Sequence, residues 1–303
     1  MEFKQLRHFV AVVESGTLSG ASQILHITQP ALTRSIKNLE AQLQAELLTR
    51  GSRGVTPTEA GSQLYSQAKM ILNETARAAG DVTATAKGQQ GSLKVGVAAM
   101  FAGDPMAAVL IRLAKTVPDL TVDITEGFFE DLITDLNTAQ VDALISNFPP
   151  GIADEGLTFE PLITVQSQFV VSAKHPLAGK STIAMADLRE HDLALVRQAH
   201  VSVLVADLFA AENLTLLKPA IETNSLTLLR SLVLSNGYIS LLPEHLLQQD
   251  FKDGRIVRLA MDGTPFKRSS GLILKRSETQ RPAVKHFVDA TRTVFAGWPE
   301  VSS

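Results

Sequence analysis

Two hydrophobic rhythms divide the chain. As far as Val82 the apolar residues recur three and four apart, the period of helices with one buried face; from Leu93 onward short apolar runs alternate with helical stretches. Phe3, Leu6, Phe9, Val10 and Val13 predict a first helix that Gly16 ends. Leu18, Ala21, Ile24 and Leu25 give a second, short helix one apolar face, and the small residues Gly20, Ala21 and Ser22 let another helix approach closely. The stretch ITQPALTRSIKNLEAQL, Ile27 to Leu43, then carries a proline at the mouth of a strong helical pattern. Thr28 is its expected N-cap, and Gln29 and Pro30 fill the first turn, where proline forfeits no hydrogen bond. Leu32, Ile36, Leu39 and Leu43 form the buried stripe, and Gln29, Thr33 and Lys37 a polar stripe on the other side.

After it, LLTRGSRGVTPTEAG places Gly51 and Gly54 between Arg50 and Arg53 and leads into extended residues, which predicts a basic hairpin. Thr58 caps a long helix with Glu59 in its first turn, where the helix dipole favours a carboxylate. Leu64, Ala68, Ile71, Thr75, Ala78 and Val82 alternate four-three spacing along it, a seam suited to a partner helix and hence to dimerisation. The helix runs out at the polar linker Lys87 to Gly91. Beyond lie SLKVGVAA, TVDITEG and VDALISN as strands with two helices between them, and a similar rhythm resumes from Leu162 and runs to RIVRLAM. Strands alternating with helices at this spacing predict an α/β fold with a mostly parallel sheet.

Composition narrows the chemistry. The 303 residues contain no cysteine, so disulfides, thiol nucleophiles and Cys-ligated zinc are excluded. No apolar run is long enough to span a bilayer, and MEFKQLRHFV lacks the order of a signal peptide, which leads to an expected cytoplasmic location without membrane association. Net charge is −3, but residues 1–91 hold nine Lys and Arg against seven Asp and Glu, a slightly basic head on an acidic body. That asymmetry points to phosphate at the N-terminal end.

Three helices followed by a basic hairpin form the arrangement of a winged helix-turn-helix, in which the helix after the short turn lies in the DNA major groove. Its groove-facing residues here are Gln29, Thr33, Arg34 and Lys37, with Thr28 at the start and Pro30 against the DNA surface. Gln and Arg suit paired hydrogen bonds to base edges, whereas Lys37, Arg50 and Arg53 suit phosphates. The stretch from Gly16 to Gly61 resembles the DNA-binding head of LysR-type transcriptional regulators: an alanine-rich helix, a Thr-Gln-Pro-Ala helix start, a Leu-Glu ending and an Arg-Gly-Val wing. HPLAG at His175 to Gly179 and NSLTLLRSLVLSNGYISLLPEHL at Asn224 to Leu246 resemble landmarks of the same family's effector domain. Gly20, Thr33 and Leu48 depart from the usual residues without removing a DNA contact.

The resemblance implies a winged helix-turn-helix head and a type 2 periplasmic-binding-protein-like α/β effector domain joined by a long linker helix. Its units are expected at residues 1–58, 59–91 and 92–303, with subdomain I at about 92–162 and 268–303 and subdomain II at about 163–267, joined by two crossing strands. The cleft between them is implied to hold a small-molecule effector at strand ends and helix N-termini: Ala99, Met100, Phe128, Asn147, His200, Val201, Ser202, Thr223 and Asn224. Many family members place a hydroxyl where this chain has Ala99 and Met100, so an aromatic or otherwise apolar effector is expected in place of a small dicarboxylate. Arg197 and His200 are candidate positive groups for an anionic ligand, and Asn224 a helix cap. Further implied partners are double-stranded DNA with an interrupted palindromic operator, further copies of the chain in a homodimer or homotetramer, and RNA polymerase if the protein activates. No cofactor and no metal are expected, because the histidines at 8, 26, 175, 191, 200, 245 and 286 lack ligand spacing. No enzyme motif survives either: AGKST at Ala178 to Thr182 lacks the upstream glycine of a phosphate loop, where Lys174 stands. The alternative is a non-specific DNA-organising protein without an effector, which leaves the α/β part without a task.

Overall fold

In the computed structural model the described residues are 1–51, 54–86, 91–148, 156–215, 218–235, 237–261, 266–279 and 281–298. The head comprises α1 (Phe3–Ser15), α2 (Leu18–Ile24), α3 (Gln29–Leu43) and an antiparallel hairpin of β1 (Leu48–Gly51) and β2 (Gly54–Pro57). Gly16 closes α1 in the left-handed conformation at φ 66°, and its carbonyl accepts a hydrogen bond from the Val55 amide at 2.8 Å, which fixes the hairpin to the α1–α2 turn. A side chain at Gly54 would place its Cβ 2.5 Å from that same carbonyl. Leu32, Ile36 and Leu39 are at most 1% exposed against Phe9, Val12 and Ala21. Burying each contributes about 1.5–3 kcal/mol. Leu43 and Ile24, expected on apolar faces, are instead exposed at 40% and 64%. Both stand in the last residue of their helices, past the edge of a small core that Leu47 fills in place of Leu43.

Thr58 Oγ1 accepts from the Gly61 amide at 3.0 Å and starts α4 (Glu59–Ala86). Then come β3 (Ser92–Ala98), α5 (Asp104–Thr116), β4 (Thr121–Gly127), α6 (Phe129–Asn137), β5 (Ala143–Asn147) and β6 (Leu157–Ser172). They are followed by α7 (Met185–Leu188), β7 (Asp192–Val196), α8 (Ala199–Ala211), β8 (Ile221–Thr223), α9 (Leu226–Leu234) and β9 (Tyr238–Pro243). The chain closes with α10 (Gln248–Lys252), β10 (Ile256–Arg258), β11 (Phe266–Lys275) and α11 (Pro282–Ala296).

The strand order β4-β3-β5-β11-β6-β9-β7-β8, with β10 also on β6, joins two lobes through the long antiparallel pair β6 and β11. The expectation of a mostly parallel sheet needs correction: β3, β4 and β5 are parallel, as are β7, β8 and β9, but every pairing of β6 or β11 is antiparallel. The crossover rhythm holds inside each lobe and fails where the chain passes between lobes. β6 also begins upstream of the apolar run at Ile163, and β11 had no strand signal in its polar first half, KRSS. Separate cores form around Leu93, Val95, Ile145 and Phe287 in the first lobe and Phe169, Leu195, Phe209 and Ile239 in the second.

Candidate nucleic-acid interface and ligand cleft

The apolar stripe of α3 decides what the head presents. With Leu32, Ile36 and Leu39 buried and Thr28 Oγ1 accepting from the Ala31 amide at 3.4 Å, the helix turns Gln29, Pro30, Arg34 and Lys37 outward, with Thr33 half-buried beside them. Gln29, Pro30, Thr33, Arg34, Lys37 and Asn38 line one shallow surface groove. Asn38, four residues after Arg34, was not expected there, although the i,i+4 spacing on a helix could have found it. No hydrogen bond or ion pair among the described residues engages the side chains of Gln29, Arg34, Lys37 or Arg50. Arg50 is exposed on β1, and Arg53 lies outside the described residues. On the inner side of the head, His8 Nδ1 sits 2.8 Å from Ser35 Oγ, and burial holds its imidazole below its ordinary pKa.

The ligand cleft lies between the lobes. Ala98 ends β3 and Ala99 and Met100 follow it, Phe128 precedes α6 and Asn147 ends β5; Ser167 of β6, and Phe266 and Arg268 of β11, come from the crossing strands. The second lobe adds Val196, Gln198, Val201, Leu204, Leu226, Leu241 and Pro243. This slot between the lobes holds about 640 Å³ of atom-free space counted out to its mouth. Ala99, Met100, Phe128, Asn147 and Val201 are brought together as expected. Three others are not. Ser202 Oγ donates to the Gln198 carbonyl at 3.2 Å, Thr223 Oγ1 accepts from the Ser225 amide at 3.1 Å, and Asn224 is exposed. Ser225, not Asn224, caps α9 by accepting from the Leu228 amide at 3.2 Å. Arg197 is turned to the Glu222 carbonyl at 3.1 Å and is absent from the cleft lining, and the His200 side chain lies outside the described residues.

Two features of the cleft went unread. His245, after β9, places Nε2 2.7 Å from the Met100 carbonyl and stacks on Phe101 at 5.7 Å, linking the lobes at the slot's edge. Burial pushes this imidazole below its ordinary pKa, so it is neutral and donates from Nε2. Arg268 stands half-buried in the lining, and burial lowers its guanidinium pKa against the opposing field of Glu130. Among the described residues no group of three or more His, Asp or Glu fits a metal ion, and no helix is long and apolar enough to cross a membrane.

The expected seam on α4 divides in two. Ala68 is fully buried against Leu6 and Val10 of α1 in the same chain, with Leu64 packed beside it, which leaves no surface of Ala68 for a partner helix. Ile71, Thr75, Ala78 and Val82 are exposed, Val82 at 71%. The other side of α4 is tied to the first lobe: Asn73 Nδ2 donates to the Thr138 carbonyl at 2.8 Å, and Arg77 pairs with Glu278 at 2.8 Å and Asp142 at 3.3 Å. Arg281 pairs with Asp142 at 2.6 Å and reaches Asp81 of α4 at 3.6 Å.

Similarity to known proteins covers both ends of the chain. Residues 3–62 match the bacterial regulatory helix-turn-helix of the lysR family, and residues 86–296 match the LysR substrate binding domain. The nitrogen assimilation regulatory protein nac of Klebsiella aerogenes is 30% identical over 249 residues, 80% of this chain and 79% of its own. The transcriptional regulator TcbR of Pseudomonas sp. strain P51 is 27% identical over 303 residues, 96% of this chain and 98% of its own. Among solved structures, full-length CbnR in complex with its target DNA is 25% identical with a TM-score of 0.65, covering 97% of this chain and 100% of that one. A head with an outward polar helix and a wing, joined by one helix to a two-lobed domain with a slot between its lobes, therefore belongs to the LysR family of transcriptional regulators, with a DNA-binding helix-turn-helix and an effector-binding domain.

Proposed function

We propose that α3 enters the major groove of an interrupted palindromic operator, with Thr28, Gln29, Pro30, Thr33, Arg34 and Lys37 facing the DNA. Gln29 and Arg34 read base edges; Lys37, Arg50 and Arg53 hold phosphates. The observation that carries this reading is the unpaired polar side of α3. A cation engaged in an ion pair would have to break it before meeting DNA, whereas Arg34 and Lys37 have none to break among the described residues. The exposed residues Ile71, Thr75, Ala78 and Val82 support pairing of α4 with a second copy, giving a homodimer, or a homotetramer if the effector domains also pair. Two-fold pairing requires two half-sites. As an activator the assembly would meet RNA polymerase; its location is the cytoplasm, and we assign it no catalytic step. The units follow residues 1–58, 59–91 and 92–303.

A small molecule in the slot between the lobes, against Ala99, Met100, Phe128 and Val201, is the effector in this reading. Occupancy favours one arrangement of the lobes, and the ties from the first lobe to Asn73, Arg77 and Asp81 pass that preference to α4 and the heads. Fluorescence anisotropy with the DNA upstream of the gene, against random competitor, tests the DNA half. Resistance to competitor that Arg34→Ala abolishes supports it; equal affinity for unrelated sequences supports a non-specific organiser in its place.

A further inference from the structure

We infer that the effector carries one anionic group beside an apolar body, and that Arg268 and Asn147 anchor that group. This rests on the reading of the interlobe slot as the effector site. Other partly buried guanidinium groups in the two-lobed domain have carboxylate partners: Arg230 takes Asp250 at 2.6 Å and Arg281 takes Asp142 at 2.6 Å, and even the exposed Arg258 takes Glu244 at 2.9 Å. Arg268 lines the slot with no hydrogen bond or ion pair among the described residues, and Glu130 acts on it only as a neighbouring charge. Holding a cation out of water without a partner costs free energy that a bound anion would return.

Asn147 supplies an independent observation. It is 3% exposed, lines the same slot, and its Nδ2 has no hydrogen-bond partner among the described residues. A buried donor left unpaired is rare in folded proteins and calls for an acceptor. The strand register brings the two together. Asn147 lies opposite Ser270 on β11, and Arg268 is two residues from Ser270, so all three fall on one face of the sheet, about 7 Å apart along the strand. An acceptor-only group between them, a carboxylate above all, satisfies a guanidinium fork and an amide donor at once.

The rest of the lining sets the other end of the molecule. Met100, Phe128, Leu204 and Phe266 offer no charge, and among the described residues Arg268 is the one cation lining the slot. A second carboxylate would enter this apolar space unpaired, so a monoanion fits and a small dicarboxylate does not.

The test uses the full-length protein with benzoate, 3-phenylpropionate, their primary amides and succinate, read by melting temperature and calorimetric titration. The acids should stabilise the protein, and the amides and succinate should bind at least about tenfold more weakly. Arg268→Gln should raise the Kd of the acids about ten- to hundredfold, with Arg268→Lys in between and binding to operator DNA without ligand retained as proof of folding. Equal binding of acids and amides, or an unchanged Kd in Arg268→Gln, overturns the anion anchor while leaving the slot as the effector site. Failure of every acid to bind also overturns it. The effector reading itself then falls only if neutral ligands of the same size fail as well.

Discussion

In the proposed reading the head and the interlobe slot are both binding surfaces of one chain, built on opposite principles. The surface of α3 is shallow and open, contiguous in sequence from Gln29 to Asn38, wet, and supplied with several polar groups of which no single one is isolated from solvent. The slot is concave and mostly apolar, assembled from segments as far apart as Ala98 and Arg268, and its polar groups are few: Asn147 is buried, and Ser167, Gln198 and Arg268 are half-buried. Charges in water act weakly one at a time and are screened by salt, so the head gains affinity by adding contacts. A polar group in a dry slot acts strongly alone, because the alternative to a partner is an unsatisfied group.

If the two surfaces are separable, damage to one should leave the other working. Ile36→Ala removes a side chain 1% exposed at the centre of the head's core and should destabilise the head by about 2–5 kcal/mol. DNA binding should then be lost while the melting of the two-lobed domain stays unchanged in calorimetry; simultaneous loss of both would deny the separation. Arg34→Ala should cost about 1–3 kcal/mol and relax base preference, whereas Arg50→Ala should weaken all sequences alike and reduce the salt slope by about one. Identical behaviour of the two variants across unrelated sequences would erase the division into base readers and phosphate holders.

The surfaces must also communicate, and Arg77 sharpens where. Removing it leaves Asp142 with Arg281 but breaks the tie from α4 to Glu278, at a cost of about 1 kcal/mol in a partly exposed network. Arg77→Ala should keep ligand affinity and lose the effect of ligand on DNA binding; full retention of that effect would place the coupling elsewhere. The smallest expected effect is on pH dependence. His245 is neutral in the folded chain because burial lowers its pKa below the ordinary 6.5, while the unfolded chain takes up a proton near that value. Its share of stability is therefore present above pH 6.5 and lost as pH falls below it. His8 and His175, also lowered by burial, act in the same direction. Melting temperature should drop on acidification, and less steeply in His245→Gln; an equal slope would remove His245 from the interlobe link.

The same contrast governs what could be read from sequence. Helix α3 was legible because cap, first-turn proline and apolar period all fall within Thr28 to Leu39, and local rules suffice. The slot was legible only where it borrows strand ends and one helix start, at Ala99, Met100, Phe128, Asn147 and Val201. Arg268 and Phe266 escaped because two cations and two serines follow Phe266 in β11, and the first half of the strand is held by pairing with β6, a partner about a hundred residues away. Asn224 and Ser225 compete for the same cap, and backbone geometry at the helix start, not residue preference, chose Ser225. Ala68 fits a seam by spacing alone, yet its fit against α1 decides its partner, which a one-dimensional heptad cannot express.

The most direct test of the central claim is binding of the full-length protein to the DNA upstream of its gene at two salt concentrations, against random competitor, beside Arg34→Ala. A regulator that reads sequence through α3 should bind tightly and resist competitor at both salts, with Arg34→Ala losing preference more than affinity at low salt. Salt-sensitive binding without preference, unchanged by Arg34→Ala, would contradict the account.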